Sequence, residues 1–260
     1  MRAFSLFFAL LALLFTACQG GSSNQEQQQE EEAPVMKYTV TPFAPSQSYP
    51  DAKIEAMAFA NGKFEFTLNE SDYQLGVQTP DAGQKMCANS AQGQHIHLIV
   101  DNEPYAAKYE AAFDYEIPDG EHYILAFLSR SYHESIKTEG AHVAVKANVK
   151  DNTITESEPI TTPMLFYSRP KGTYTGKAET EKVMLDFYLA NASLGADYKV
   201  KAEINGEEHL IDSWQPYYIE GLPMGENTIK LTLVDGQGNA VDAPLNPVSR
   251  TFTLQADPAE

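Results

Sequence analysis

The chain has 260 residues, with 18 Lys and Arg against 36 Asp and Glu, for a formal net charge of −18 at pH 7. A body this acidic is repelled by nucleic acid and by anionic lipid, so neither is expected as a partner recognised by charge. Two cysteines are too few for a disulfide-built scaffold, and the chain beyond residue 35 is long enough for two domains with ordinary cores.

Met1 and Arg2 lead into AFSLFFALLALLF, which ends at Thr16-Ala17-Cys18. One positive charge, a short apolar run and small residues before the cut form a secretory signal, and the run is short for a bilayer span. Thr16-Ala17-Cys18 resembles the lipobox of bacterial lipoproteins, with Phe15 where that family more often has Leu or Val. The resemblance implies cleavage after residue 17 and a lipid on Cys18. It also implies a place in the bacterial cell envelope, expected at the outer membrane. An ordinary secretion signal or an uncleaved anchor is the alternative. Loss of residues 1–17 removes one charged group, Arg2, and takes −18 to −19. Residues 18–35, rich in Gln, Glu, Gly and Ser, cannot bury a core and read as a tether. With Cys18 acylated, Cys87 has no disulfide partner. It is then a buried small residue, a free thiol or a soft metal ligand.

From there on no long stretch has helical spacing. Apolar residues alternate over short spans punctuated by Gly, Pro, Asn and Asp, which predicts strands. In the first half these fall near 54–59, 62–68, 95–101, 111–117, 122–128 and 141–149. In the second half they fall near 164–168, 183–189, 197–204, 215–220, 227–234 and 249–255. The expected fold class is all-β: two tandem immunoglobulin-like β-sandwiches, residues 36–157 and 158–260. The halves also resemble each other. FDYEIPDGEHYILAFL (113–128) matches YYIEGLPMGENTIKLTLV (217–234), with Pro118 and Gly120 against Pro223 and Gly225. Asp101-Asn102 and Asn205-Gly206 are turn signals at equivalent places. Trp214, Tyr217 and Tyr218 read as packing, with a sugar platform as the alternative. Gly76 and Gly195 lie 119 positions apart but Val100 and Ile204 only 104, so the first half carries about fifteen extra residues within 77–94. Loops inserted on a rigid sandwich are where function concentrates.

That loop feeds into GQHIHLIVDN. On a strand His95 and His97 share one face while Ile96, Leu98 and Val100 take the other. Ile99 continues the histidine face, so this face is not simply solvated. Two imidazoles side by side hold a metal ion if neighbours complete the set. His122 is the foremost candidate, Met86 and Cys87 come from the inserted loop, and His133 from SRSYHES. Nitrogen with soft sulfur favours copper or zinc, although the blue-copper order of ligands is absent. Two other readings stay open. The histidines either stiffen the sheet by hydrogen bonding, or join Arg130, His133 and Lys137 in gripping an anionic ligand or a sugar, with Arg169 of SRPKG facing the same patch.

The runs GQHIHLIVDN and PDGEHYILAFLSRSYHES, then MLFYSRPKGTY, DFYLAN and WQPYYIEGLPMGENTIKLTL, resemble the two domains of a group of exported lipoproteins from Bacteroidota-type bacteria. Together they cover most of residues 60–255. Some members of that group are labelled phosphopeptide-binding, but phosphate recognition wants clustered Arg. Here Arg130, Arg169 and Arg250 stand isolated in sequence. No nucleophile elbow, Gly-rich phosphate loop, Cys-x-x-Cys or His-Glu-x-x-His occurs. The expectation is therefore a non-enzymatic, membrane-anchored lipoprotein that binds or scaffolds, with copper or zinc in domain one. A peptide, glycan or anionic-ligand module is the alternative, and a hydrolytic enzyme with an unrecognised site the next. Expected partners are the membrane, through Cys18, and an envelope protein, peptide or glycan.

Overall fold

The structure, a computed structural model, describes residues 37–257. The signal segment, Cys18 and the tether lie outside the described residues, and with them the expected membrane anchor. The chain begins with β1 (Thr39–Pro42). The first sandwich then contains β2 (Ile54–Ala60), β3 (Lys63–Leu68), β4 (His95–Val100), β5 (Ala106–Lys108), β6 (Ala112–Asp114), β7 (Gly120–Ser129), β8 (His142–Lys150) and β9 (Thr153–Pro159). The second contains β10 (Met164–Arg169), β11 (Gly172–Thr175), the one-turn helix α1 (Lys177–Thr180), β12 (Val183–Ala190), β13 (Tyr198–Ile204), β14 (Glu207–Ile211), β15 (Tyr217–Glu220), β16 (Gly225–Asp235) and β17 (Val248–Gln255).

Alternation explains most of these strands. In β3, Phe64 and Phe66 are buried while Lys63 and Glu65 are exposed, the pattern of a strand with one wet face. In the first sandwich a three-stranded sheet, β2-β3-β6, faces a five-stranded one, β5-β4-β7-β8-β9. Phe59, Phe64, Ile96, Leu98, Ile124, Ala126 and Leu128 fill the space between. The second sandwich repeats the plan. Its five-stranded sheet runs β14-β13-β16-β17-β11, the same order of equivalents, facing β1-β15-β12-β10. The last pairing differs, because β11 runs parallel to β17 whereas β9 runs antiparallel to β8.

Several strands break the one-wet-face rule, four of them at the junction. β4, β10 and β12 are buried along their whole length and β7 along most of it. Each has a core on one side and the other sandwich on the other. Ile99, Leu125 and Phe127 meet Met164, Phe166 and Tyr188 in a third apolar cluster, each such buried side chain contributing about 2 kcal/mol. The described residues accordingly form one compact unit.

The division at 157/158 needs one correction. β1 pairs with β15 of the second sandwich, Thr39 opposite Glu220, and Lys37 and Tyr38 donate their backbone N–H groups to the Glu207 carboxylate. The following residues cross over. Phe43 packs on Tyr218, ring centroids 4.3 Å apart, Gln47 O accepts from Arg130 Nε at 2.9 Å, and Tyr49 and Ala52 enter the first core.

Candidate metal centre

The histidine face of β4 points at the junction between the sandwiches. His95 and His97 are both 0 % exposed. β7 pairs alongside, His95 opposite Ser129 and His97 opposite Phe127. After β7 the chain turns sharply, with His133 N donating to Arg130 O at 2.9 Å. His133 itself has φ +69°, a left-handed conformation in which His is enriched among non-glycine residues. The turn folds the His133 ring back over the start of β4.

Three ring nitrogens converge there. His95 Nε2 lies 2.8 Å from His97 Nε2 and 3.0 Å from His133 Nδ1. All three donors lie within 4.8 Å of one another, so the cluster is capable of coordinating one metal ion. Ligands about 2.0–2.1 Å from a tetrahedral ion stand roughly 3.3 Å apart, so His95 need part from His97 and from His133 by only a few tenths of an ångström. The outer nitrogen of His95 is set as ligation requires. His95 Nδ1 donates to Gly93 O at 2.8 Å, which leaves Nε2 with its lone pair facing inward. His97 Nδ1 faces Ser168 Oγ of the second sandwich at 3.4 Å. The His97 ring is stacked on Tyr105, centroids 3.6 Å apart and planes 10° apart. Lys171 Nζ sits 4.1 Å over that Tyr105 ring, and the His95 ring packs on Tyr109.

Burial keeps the trio neutral. It pushes His95 down to about 4, against the opposing pull of the Gly93 carbonyl, and the nearby charges of Arg169 and Lys171 add to the downward push. His97 and His133 are held well below the usual histidine range, first by burial and then by the neighbouring rings, Arg169 and Lys171. Neutral imidazoles are the form that binds metal, with the proton on the ring nitrogen turned away from the ion.

The other residues expected as ligands lie elsewhere. His122 is on the core face of β7 and five residues along the strand from Phe127, about 17 Å at strand rise. It locks a turn: Nδ1 lies 2.5 Å from Asp101 Oδ2 and Nε2 2.8 Å from Pro118 O. In the second sandwich Asn227 does the same work. Its Nδ2 donates to Pro223 O at 2.9 Å, and its Oδ1 accepts from Asn205 Nδ2 at 2.8 Å. His122 thus belongs to the repeated fold, while His95 and His97 correspond to Lys199 and Lys201 in β13 and are particular to the first sandwich. Met86 is 51 % exposed. Cys87 packs beside Phe43, Tyr132, Met184 and Tyr218, and burial pushes its thiol up to about 12. Cys87 is not among the converging donors. The sulfur ligands drop out, and the three nitrogens remain, with the Tyr105 hydroxyl 3.3 Å from His133 Nδ1.

The inserted loop instead serves as a cover. Ser90 N donates to Ser131 O, Ser131 N to Thr79 Oγ1, and Ser90 Oγ lies 2.7 Å from the Tyr109 hydroxyl. Nor do the residues expected to grip an anion act together. Arg130 is engaged with Gln47 O through Nε and Nη2 and with Glu134 through Nη1. Lys137 pairs with Asp186 at 2.5 Å, and His133 joins the trio. Arg169 is different: it is 6 % exposed, and its Nε and Nη1 have no hydrogen-bond partner. Sequence reasoning missed Tyr105 and Ser168 as parts of the site. Ser168 lies at a bulge, where the β10–β12 register shifts between Tyr167 and Arg169.

No protein-family model and no curated protein matches the chain. Among solved structures it is similar to the fibronectin(III)-like modules of Clostridium thermocellum CbhA. That match has 18 % identity and a TM-score of 0.29, covering 36 % of this chain and 100 % of that one. It is also similar to the central fibronectin-III array of RIM-binding protein, with 9 % identity, a TM-score of 0.27 and 85 % and 71 % of the two chains covered. A third is the Bacteroides ovatus mixed-linkage glucan utilization locus protein SGBP-B, with 9 % identity, a TM-score of 0.20 and 86 % and 72 % covered. Scores this low assign neither ligand nor partner.

Proposed function

We propose that this protein is a lipid-anchored binding protein of the bacterial cell envelope, attached through Cys18, whose first sandwich holds a single copper or zinc ion on His95, His97 and His133. The observation that carries the reading is the convergence of three neutral imidazole nitrogens, two of them fully buried and the third, on His133, half-buried. Imidazole ligands suit both metals. Binding rather than turnover is the proposed role, because two of the rings have no solvent contact and a second sandwich closes over them. Such a site holds an ion more readily than it admits a large substrate.

The test is metal titration of the full chain with copper and zinc, followed by metal analysis after gel filtration. One equivalent retained by the natural protein, lost in His95→Ala/His97→Ala, weakened at least tenfold in His133→Ala and kept in His122→Ala is the expected pattern. Failure to retain metal above background, or equal loss in His122→Ala, overturns the assignment.

A further inference from the structure

We propose that a small oxyanion of the carboxylate or carbonate type completes the three-histidine centre, bound to the ion by one oxygen and to Arg169 by hydrogen bonds. The inference rests on the metal reading above and adds the chemical class of the fourth ligand.

Arg169 is the anomaly that points to it. Arg130 has Gln47 O and Glu134, Lys137 has Asp186, and Arg250 donates from Nη2 to Asn102 O at 2.6 Å, with only its Nε lacking a partner. Arg169 lies against Tyr174, its guanidinium carbon 5.2 Å from that ring, yet keeps two N–H-bearing nitrogens, Nε and Nη1, without a hydrogen-bond partner at 6 % exposure. A buried guanidinium stays charged, and leaving its donors unmade is costly. Natural structures rarely tolerate this unless something else comes to the site.

Its place in the fold directs it to the histidines. The bulge at Ser168 turns two successive residues of β10 inward, so that Ser168 is 0 % exposed and meets His97 while Arg169 is buried beside it. Bulges next to sites re-aim side chains in this way. The Arg169 charge reaches all three rings of the trio.

Charge then identifies the class of ligand. Three neutral imidazoles bring no negative charge to a metal ion. The nearby carboxylates are engaged, Glu134 with Arg130 and Ser46 and Asp186 with Lys137 and Ser135 N. None is among the groups whose charge is felt by the three rings. A divalent ion on the trio therefore stands close to a guanidinium, with like charges facing across a low-dielectric site. An oxyanion between them relieves both: it replaces water at the fourth position that three-ligand zinc sites keep open, and it accepts from a planar donor group suited to carboxylate. Coordination is the only bond formed, and no electron is transferred.

The experiment is zinc titration of the full chain by chelator competition, in buffer free of carboxylate and carbonate and then with added acetate or bicarbonate. The natural protein should bind zinc at least tenfold more tightly when either anion is present. Arg169→Met should lose that dependence and, with the like charge gone, bind zinc in anion-free buffer at least as tightly as the natural protein. Arg169→Lys, which keeps the charge but not the planar donors, should show a smaller anion response. With cobalt in place of zinc, acetate should shift the visible spectrum of the natural protein and not that of Arg169→Met. Zinc binding indifferent to both anions in the natural protein overturns the oxyanion and leaves the metal centre standing. Absence of zinc binding in every buffer overturns the metal centre itself. Should Arg169→Met not fold, the anion response of the natural protein against Arg169→Lys decides the matter.

Discussion

Asn102 Oδ1 accepts a hydrogen bond from Tyr167 N at 2.8 Å, and Asn102 Nδ2 donates to Leu165 O at 2.8 Å. One side chain at a turn of the first sandwich thus pairs with the β10 backbone as a neighbouring strand would. Ser168 and Arg169 follow Tyr167 directly, so this clamp positions the half of the candidate metal centre that the second sandwich contributes.

Asn102→Gly tests the clamp without backbone strain, because residue 102 has φ +61° and glycine accepts that value. The change leaves Leu165 O and Tyr167 N unpaired in a buried place, which costs about 2–4 kcal/mol. Urea unfolding should show a lower midpoint, and metal affinity should fall with it. An unchanged midpoint would mean the junction does not depend on this contact.

Acid should destabilise the metal-free protein through the trio. The folded rings titrate below the ordinary value, His95 near 4, while the unfolded chain takes up protons at about 6.5. The contribution is therefore complete above about pH 6.5 and is lost as pH falls from there toward 4. For His95 alone the loss reaches about 3 kcal/mol. Unfolding midpoints at pH 7 and pH 5 should differ more in the natural protein than in His95→Ala/His97→Ala. Equal differences would contradict the neutral, buried state of the rings.

Cys87 should be slow to react. Burial lifts its thiol from 9.0 to about 12, which cuts the thiolate fraction at neutral pH roughly a thousandfold. Iodoacetamide labelling at pH 7.5 should be at least a hundredfold slower in the native chain than in urea. Rapid native labelling would return Cys87 to the set of available ligands.

Most strands were legible because alternation reports a one-sided core, as in Lys63–Leu68. The pairing of His95 with His97 on one face was legible for the same reason. His133 was visible only as a histidine in a nearby loop, since its approach depends on a left-handed turn. His122 misled because its parity on β7 is that of Ile124 and Leu128, which face the core, while the trio faces outward. Ser168 and Tyr105 reach the site through the docking of sheets distant in sequence, and no local spacing records that, while Arg169 was visible as a cation facing the same patch. β1 was hidden for a related reason: four residues carry little pattern, and their partner lies about 175 positions downstream.

The place of β1 has a consequence for taking the molecule apart. Its sheet otherwise consists of β15, β12 and β10, so the sandwich with the three histidines is a long insert carried between the first and second strands of the other. A single cut at 157/158 gives no clean halves. The upstream piece keeps a strand with nothing to pair against, and the downstream piece exposes the edge of β15 that this strand covers, a row of open backbone donors and acceptors that invites aggregation. Expression of the second sandwich alone requires residues 37–43 to be grafted ahead of Met164, whereas residues 44–159 form the segment to express for the first.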